Sequence, residues 1–213
     1  MQAFIFDMDG VIIDSEPIHN KVIAEKLAKH NVNLEDINFD KFIGMASTEV
    51  FSHFIKTYDL PYTAEQMTVD HMQEFKEYIK IHHLQPINGI LSLLESLRKK
   101  DIPLAIASSS PLDVIQFIVK CFNIEHYFQV LISGEELPQS KPAPDIYLKT
   151  AQELNVKPQA CVVLEDSTNG TIAAKKANMF CIGFKNTNSG NQDLSKADVL
   201  IHKISDINLH ELP

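Results

Sequence analysis

The 213-residue chain has no apolar run approaching the roughly 20 residues that a membrane-spanning helix needs, so no membrane partner is expected. It is also poor in cations: 19 Lys and Arg stand against 28 Asp and Glu, a formal net charge of −9. Sequence-independent binding to DNA or RNA rests on cations that neutralise phosphates, so no nucleic-acid partner is expected either. Cysteine is scarce. Cys121, Cys161 and Cys181 are odd in number, far apart and set among apolar neighbours, which suits reduced core thiols in a cytoplasmic protein rather than a disulfide framework or a zinc site. The opening Met1-Gln2-Ala3-Phe4 lacks a basic segment followed by an apolar core, so no export signal is expected. What remains, 45% hydrophobic and 22% charged, is ordinary globular composition. The length fits one domain, or one carrying an insert, and can bury a core without disulfides or metal. A monomer or weak dimer is expected.

Six short runs are apolar throughout: Ala3–Phe6, Pro103–Ala107, Val130–Ile132, Cys161–Leu164, Phe180–Phe184 and Val199–Ile201. Runs without alternation are the pattern of strands buried on both faces, hence of a parallel sheet. Helical patterns lie between most of them. Ile90, Leu93, Leu94 and Leu97 follow an i, i+3, i+4, i+7 spacing that ends in Arg98, Lys99 and Lys100, where cations suit a helix C-terminus. Ile115, Ile118 and Phe122 mark a second. Strand–helix alternation predicts an α/β doubly wound, Rossmann-like core whose ligands bind at the C-terminal strand ends. From about Ser15 to Gln85 the alternation stops and the pattern is helical. Pro17 suits the first turn of a helix through Lys29, and Thr63-Ala-Glu-Gln66 reads as a capping box before a stripe of Met72, Phe75 and Ile79. The expected organisation is a core of residues 1–14 and 86–213 with an inserted all-helical domain over 15–85. The polar segment Asn186–Asp193 reads as a surface excursion.

The strand ends carry the polar residues. The first strand runs into Asp7-Met8-Asp9-Gly10, two carboxylates at i, i+2 before a residue that permits a sharp turn. Alone, such a pair does no more than solvate a turn. The second strand is followed by Ser108-Ser109-Ser110-Pro111, hydroxyls ahead of a helix N-terminus, which alone would be a helix cap. After the third comes Ser140-Lys141-Pro142-Ala143-Pro144, a cation beside two residues of fixed φ. The fourth ends in Glu165-Asp166-Ser167. Four strands thus deliver carboxylates, hydroxyls, an ammonium and more carboxylates to one edge. His82 and His83, being adjacent, diverge on a helix and make a poor metal pair.

Asp7-Met8-Asp9-Gly10, Ser108, Lys141 and Glu165-Asp166 resemble, in order and spacing, the four motifs of the haloacid dehalogenase superfamily. The chain is similar to its branch of β-phosphoglucomutases and sugar-phosphate phosphatases, which carry a helical cap after the first strand. The resemblance implies phosphoryl transfer with Mg²⁺ through an aspartyl-phosphate. Asp7 would be the nucleophile and Asp9 the general acid and base. Asp7, the Asp9 backbone carbonyl and Asp166 would bind Mg²⁺, with Glu165 acting directly or through water. Ser108, Ser109 and Lys141 would hold the phosphoryl group of a small phosphorylated metabolite. His19 matches a histidine that assists the shift between the two states in the mutases. The cap would hinge near Asp14–Ser15 and near Leu84–Ile87.

Two departures point away from the mutases. Where they follow the cap glycine with an arginine, Gly44 is followed by Met45-Ala46-Ser47-Thr48; where they carry Lys-Asn, this chain has Pro111-Leu112. Arg98 is the only arginine, so a second phosphate would lack a bidentate clamp. The expected activity is hydrolysis of small phosphomonoesters, hexose or hexitol phosphates foremost. β-Phosphoglucomutase activity is the alternative, and a non-catalytic binding protein the remote one.

Overall fold

The structure, a computed structural model, describes residues 1–42 and 47–213; Gly44, Met45 and Ala46, read above for a substrate grip, lie outside the described residues. The chain divides into two compact units, Met1–Asp14 with Gln85–Pro213, and Ser15–Leu84.

The first unit is built on six parallel strands: β1 (Ala3–Phe6), β2 (Leu104–Ser108), β3 (Val130–Ser133), β4 (Cys161–Glu165), β5 (Phe180–Phe184) and β6 (Val199–Ile201). They lie in the order β3-β2-β1-β4-β5-β6, a doubly wound Rossmann-like sheet. β1, β2 and β4 are buried along their whole length, which is why they read as unbroken apolar runs. On one face Ala3, Ile5, Val163 and Cys181 pack against Tyr147 and Ala151 of one helix and Ala173 and Ala174 of another. Burial of each large side chain of this core stabilises by about 1.5–3 kcal/mol. Those helices are α6 (Asp145–Glu153) and α7 (Thr168–Lys176); α4 (Ile90–Arg98) and α5 (Leu112–Cys121) complete the set in this unit. α4 buries Ile90, Leu93, Leu94 and Leu97, the stripe its periodicity predicts.

The order reverses at β1, which pairs with β2 on one side and β4 on the other, with Phe6 opposite both Ile106 and Leu164. A crevice beyond the C-terminal ends of β1 and β4 is where such sheets bind ligands.

One local expectation needs correction. Cys121 is exposed, whereas Cys161 and Cys181 are buried. It ends α5 on the side away from the buried stripe of Val114, Ile115, Ile118 and Val119. The segment Asn186–Asp193 is the surface excursion expected, exposed at most positions but with Ser189 buried within it.

The second unit holds α1 (Glu16–Ala28), α2 (Ser47–Tyr58) and α3 (Ala64–Ile81), packed around Leu27, Phe51, Phe54 and Met67. Pro17 lies in the first turn of α1. The capping box of α3 is formed: Gln66 N donates to Thr63 Oγ1 (3.2 Å) and Thr63 N to Gln66 Oε1 (3.0 Å). The buried stripe of α3 is Met67, His71, Phe75 and Ile79. His71 therefore takes the place expected for Met72, which is only half-buried. His71 Nε2 and His19 Nδ1 share a hydrogen bond of 2.8 Å, and the His19 ring stacks on Phe75 at 4.2 Å.

Burial, and then the charges of His19 and Lys26, push the His71 imidazole down from 6.5 to about 3. Below pH 6.5 the unfolded chain takes up a proton at His71 that the folded chain refuses. Stability contributed here is complete above that pH and declines as pH falls towards 3, by up to about 1.4 kcal/mol per pH unit. His71→Gln keeps a hydrogen-bonding partner for His19 and removes the titration, so it should flatten this decline. Urea midpoints at pH 7 and pH 5 measure the effect; an equal drop in both proteins would contradict it.

Candidate active site

β1 delivers Asp7 to the crevice, and the Asp7 amide continues the ladder by donating to Leu164 O (3.0 Å). The chain then turns at once. Met8 O accepts from the amides of Ile12 and Ile13, and Gly10 sits at φ +76°. A Cβ at Gly10 would run into Asp166 Oδ2 and Ser189 Oγ, so both this φ and this close approach need glycine. The turn sends the two carboxylates to different partners. Lys141 Nζ donates to Asp7 Oδ1 at 2.6 Å. Asp9 Oδ2 instead accepts from Ser110 Oγ (2.7 Å) and Ser108 Oγ (3.3 Å).

The Lys141 ammonium spends its three donors on Asp7, Glu165 Oε1 (2.7 Å) and the carbonyl of Ala107 (3.3 Å). Burial opposes its charge, but Asp7 and Glu165 outweigh burial and hold its pKa above the ordinary lysine range. Glu165, ending β4, is completely buried. Its Oε1 also accepts from Tyr147 Oη (2.9 Å), and its Oε2 from the amides of Asp166 (3.0 Å) and Ser167 (2.9 Å) and from Ser167 Oγ (2.9 Å). Burial pushes the Glu165 carboxyl up, yet Lys141 and Ser167 prevail and keep it below its usual value. With both oxygens so engaged, Glu165 orients Lys141. Ser167 also caps α7 by accepting from Gly170 N (3.0 Å).

Asp166 turns the other way. Its Oδ2 accepts from Ser189 Oγ. Burial, then Glu165 and Asp7, raise its pKa well above the carboxylate range. Burial likewise raises Asp7 to about 7; Lys141 opposes the shift, and Glu165 and Asp9 add to it. The ligand atoms of Asp7, Glu165 and Asp166 lie within 4.8 Å of one another. Four carboxylates share a single ammonium here, and Asp7 Oδ2 and Asp166 Oδ1 have no hydrogen-bond partner among the described residues. This donor set fits a hard divalent cation.

Asp7, Asp9, Ser108, Lys141, Glu165 and Asp166 therefore come together at the edge where the sheet order reverses. Ser109 is exposed, and its neighbour Ser110 makes the bond to Asp9. His19 belongs to the helical unit, paired with His71. Ser110, named above only within the serine run, joins the site together with Tyr147, Ser189 and Asn186, which the sequence does not plainly mark. Tyr147 carried a faint signal, an aromatic six residues after Lys141 on the next helix. Asn186 donates to Gly10 O (3.0 Å) and Asp14 Oδ1 (3.2 Å), and nothing near it in the chain announces those partners.

Known proteins similar to this chain include phosphatases and a β-phosphoglucomutase. Hexitol phosphatase B of Escherichia coli (strain K12) is 33% identical over 185 residues, covering 83% of this chain and 80% of its own length. A phosphorylated carbohydrates phosphatase of Thermotoga maritima is 32% identical over 180 residues, covering 83% and 82%. Among solved structures, the β-phosphoglucomutase of Clostridium difficile superposes with a TM-score of 0.79 at 25% identity, over 99% of this chain and 94% of that one. The model of the haloacid dehalogenase-like hydrolases matches residues 4–184, from β1 through β5 and every motif named above, and the chain belongs to that family.

Proposed function

We propose that this hydrolase is a Mg²⁺-dependent phosphatase of small phosphomonoesters, hexose or hexitol phosphates foremost, acting through an aspartyl-phosphate on Asp7. The observation that carries the reading is the convergence of Asp7, Asp9, Lys141 and Asp166 at the end of β1 and β4. Kinship with phosphatases at 33% and 32% identity supports it. Asp7, Asp166 and the Asp9 carbonyl would hold Mg²⁺, which when bound neutralises the crowded carboxylates and the phosphoryl oxygens so that anion can approach anion.

The residues then divide the work. Asp7 attacks phosphorus, forming an Asp7–phosphorus bond as the bond from phosphorus to the sugar oxygen breaks. Asp9, its Oδ2 held by Ser108 and Ser110, gives the leaving oxygen a proton through Oδ1. Asp9 next takes a proton from the water that attacks the aspartyl-phosphate, which frees phosphate and restores Asp7. Lys141, fixed by Glu165, meets the charge that builds on the phosphoryl oxygens beside Asp7. The choice among sugars is assigned to the inserted helical unit, as the family resemblance implies.

β-Phosphoglucomutase activity is the second reading, favoured by the match to the Clostridium difficile enzyme. The lone arginine speaks against it. Arg98 ends α4, the helix that leads into the start of β2, so it lies at the opposite edge of the sheet from Asp7. There it bonds Glu95 (3.2 Å) and lies 5.3 Å from the centre of the Tyr127 ring. The deciding experiment supplies β-glucose 1-phosphate with glucose 1,6-bisphosphate, alongside a panel of hexose and hexitol phosphates. Inorganic phosphate should appear with Mg²⁺ and stop with EDTA; glucose 6-phosphate forming faster than phosphate would overturn the phosphatase reading.

A further inference from the structure

The segment joining β5 to β6 crosses the active site as a strap. At one end, Asn186 and Asn188 grip Asp14: Asn186 Nδ2 lies 3.2 Å from Asp14 Oδ1, and Asn188 Nδ2 lies 2.5 Å from Asp14 Oδ2. Asn186 also holds the Gly10 carbonyl in the turn after Asp9. At the other end, Gln192 ties the strap to the first turn of α7. Thr168 N donates to Gln192 Oε1 (2.9 Å), Asp193 N to Thr168 Oγ1 (2.8 Å), and Gln192 Nε2 to Ser189 O (3.0 Å). Between these anchors the buried Ser189 turns its hydroxyl onto Asp166 Oδ2.

We infer that Ser189 is a positioning residue that fixes Asp166 as a one-oxygen ligand and so favours Mg²⁺ over Ca²⁺ at this site; the inference rests on the metal reading above. A carboxylate left to turn can offer either oxygen or both. Asp166 Oδ2 is confined between the Gly10 backbone, where even a Cβ would not fit, and the Ser189 hydroxyl. Oδ1, with no hydrogen-bond partner among the described residues, is the oxygen better placed to take a cation. Mg²⁺ demands near-octahedral geometry with single-oxygen carboxylates, whereas Ca²⁺ accepts six to eight ligands and bidentate ones. Holding one oxygen back therefore costs Ca²⁺ a donor and leaves Mg²⁺ its preferred arrangement.

The test is calorimetric titration of the full chain with MgCl₂ and with CaCl₂, for the unchanged protein and for Ser189→Ala. Loss of a hydrogen bond that orients a metal ligand weakens metal affinity by about 10–100-fold. Mg²⁺ should lose affinity on that scale and Ca²⁺ markedly less, so the preference for Mg²⁺ narrows. A loss equal for both ions, or none, would overturn the inference, because a merely structural role moves both together. Failure of the unchanged, folded chain to bind Mg²⁺ would overturn the metal reading, and this inference with it. Should Ser189→Ala not fold, Gln192→Ala loosens the strap and keeps the hydroxyl. It should narrow the preference in the same direction, and an unaltered preference would count against the inference.

Discussion

Asp7→Asn should lower Mg²⁺-dependent turnover of p-nitrophenyl phosphate by about 10⁴-fold or more, the scale on which loss of a nucleophile acts in covalent catalysis. The amide keeps the shape of the carboxylate and can still accept from Lys141, so the circular dichroism of the parent should persist. The argument is geometric. Asp7 is the carboxylate whose Oδ1 is fixed by an ammonium while its Oδ2 has no hydrogen-bond partner among the described residues. Asp9, by contrast, spends Oδ2 on two serine hydroxyls. Acid quench during turnover should trap phosphate on a peptide containing Asp7 in the parent, and none in the variant. A variant that retains more than a small fraction of the parental rate, with phosphate trapped elsewhere, would sink the assignment.

The largest expected effect on stability belongs to Lys141→Met. The substitution removes the single cation from a cluster in which Glu165 is wholly buried and Asp7 nearly so. Leaving buried charges without their partner costs about 3–5 kcal/mol. For a chain of this size that corresponds to a fall of roughly 6–20 °C in melting temperature. Adding Glu165→Gln should recover part of the loss, since one of the stranded charges disappears and the amide can still accept from Ser167. The two substitutions should then fail to add, as expected of residues in direct contact. A melting temperature within a degree or two of the parent, or strict additivity, would mean that Lys141 does not hold these carboxylates together.

Much of this was readable beforehand, for a physical reason. Strands buried on both faces must be apolar at every position, so Ala3–Phe6 and Cys161–Leu164 announce themselves, and a polar residue just past such a run is conspicuous. Asp7, Ser108 and Glu165-Asp166 are signals of that kind, and Lys141 stands out by the two prolines that follow it. The unread part depends on partners distant in the chain. Ser189 touches Asp166 and Asn186 touches Gly10, but both sit in a polar segment where any serine or asparagine looks alike. Three hydroxyls in a row hide which of them turns inward, and Ser110 rather than exposed Ser109 bonds Asp9. His71 and Met72 both stand at helical spacing from Phe75, so the neighbouring His19 identifies the buried one. Cys121 differs, since its place off the stripe of Ile115, Ile118 and Val119 was legible in the periodicity itself.

The position of β1 at the centre of the sheet constrains how the chain can come into being. Its first neighbour, β2, begins at Leu104 and its second, β4, at Cys161, with the whole helical unit intervening. During synthesis at about 5–20 residues per second, the segment carrying Asp7 waits on the order of ten seconds or more before Asp166 exists. Until β2 is made, Phe4, Ile5 and Phe6 have no strand to pair with, while α1, α2 and α3 can pack on one another from local contacts alone. Asp7 and Asp166 thus meet only once β4 is made, and a ribosome-bound fragment ending before β4 has no site to load.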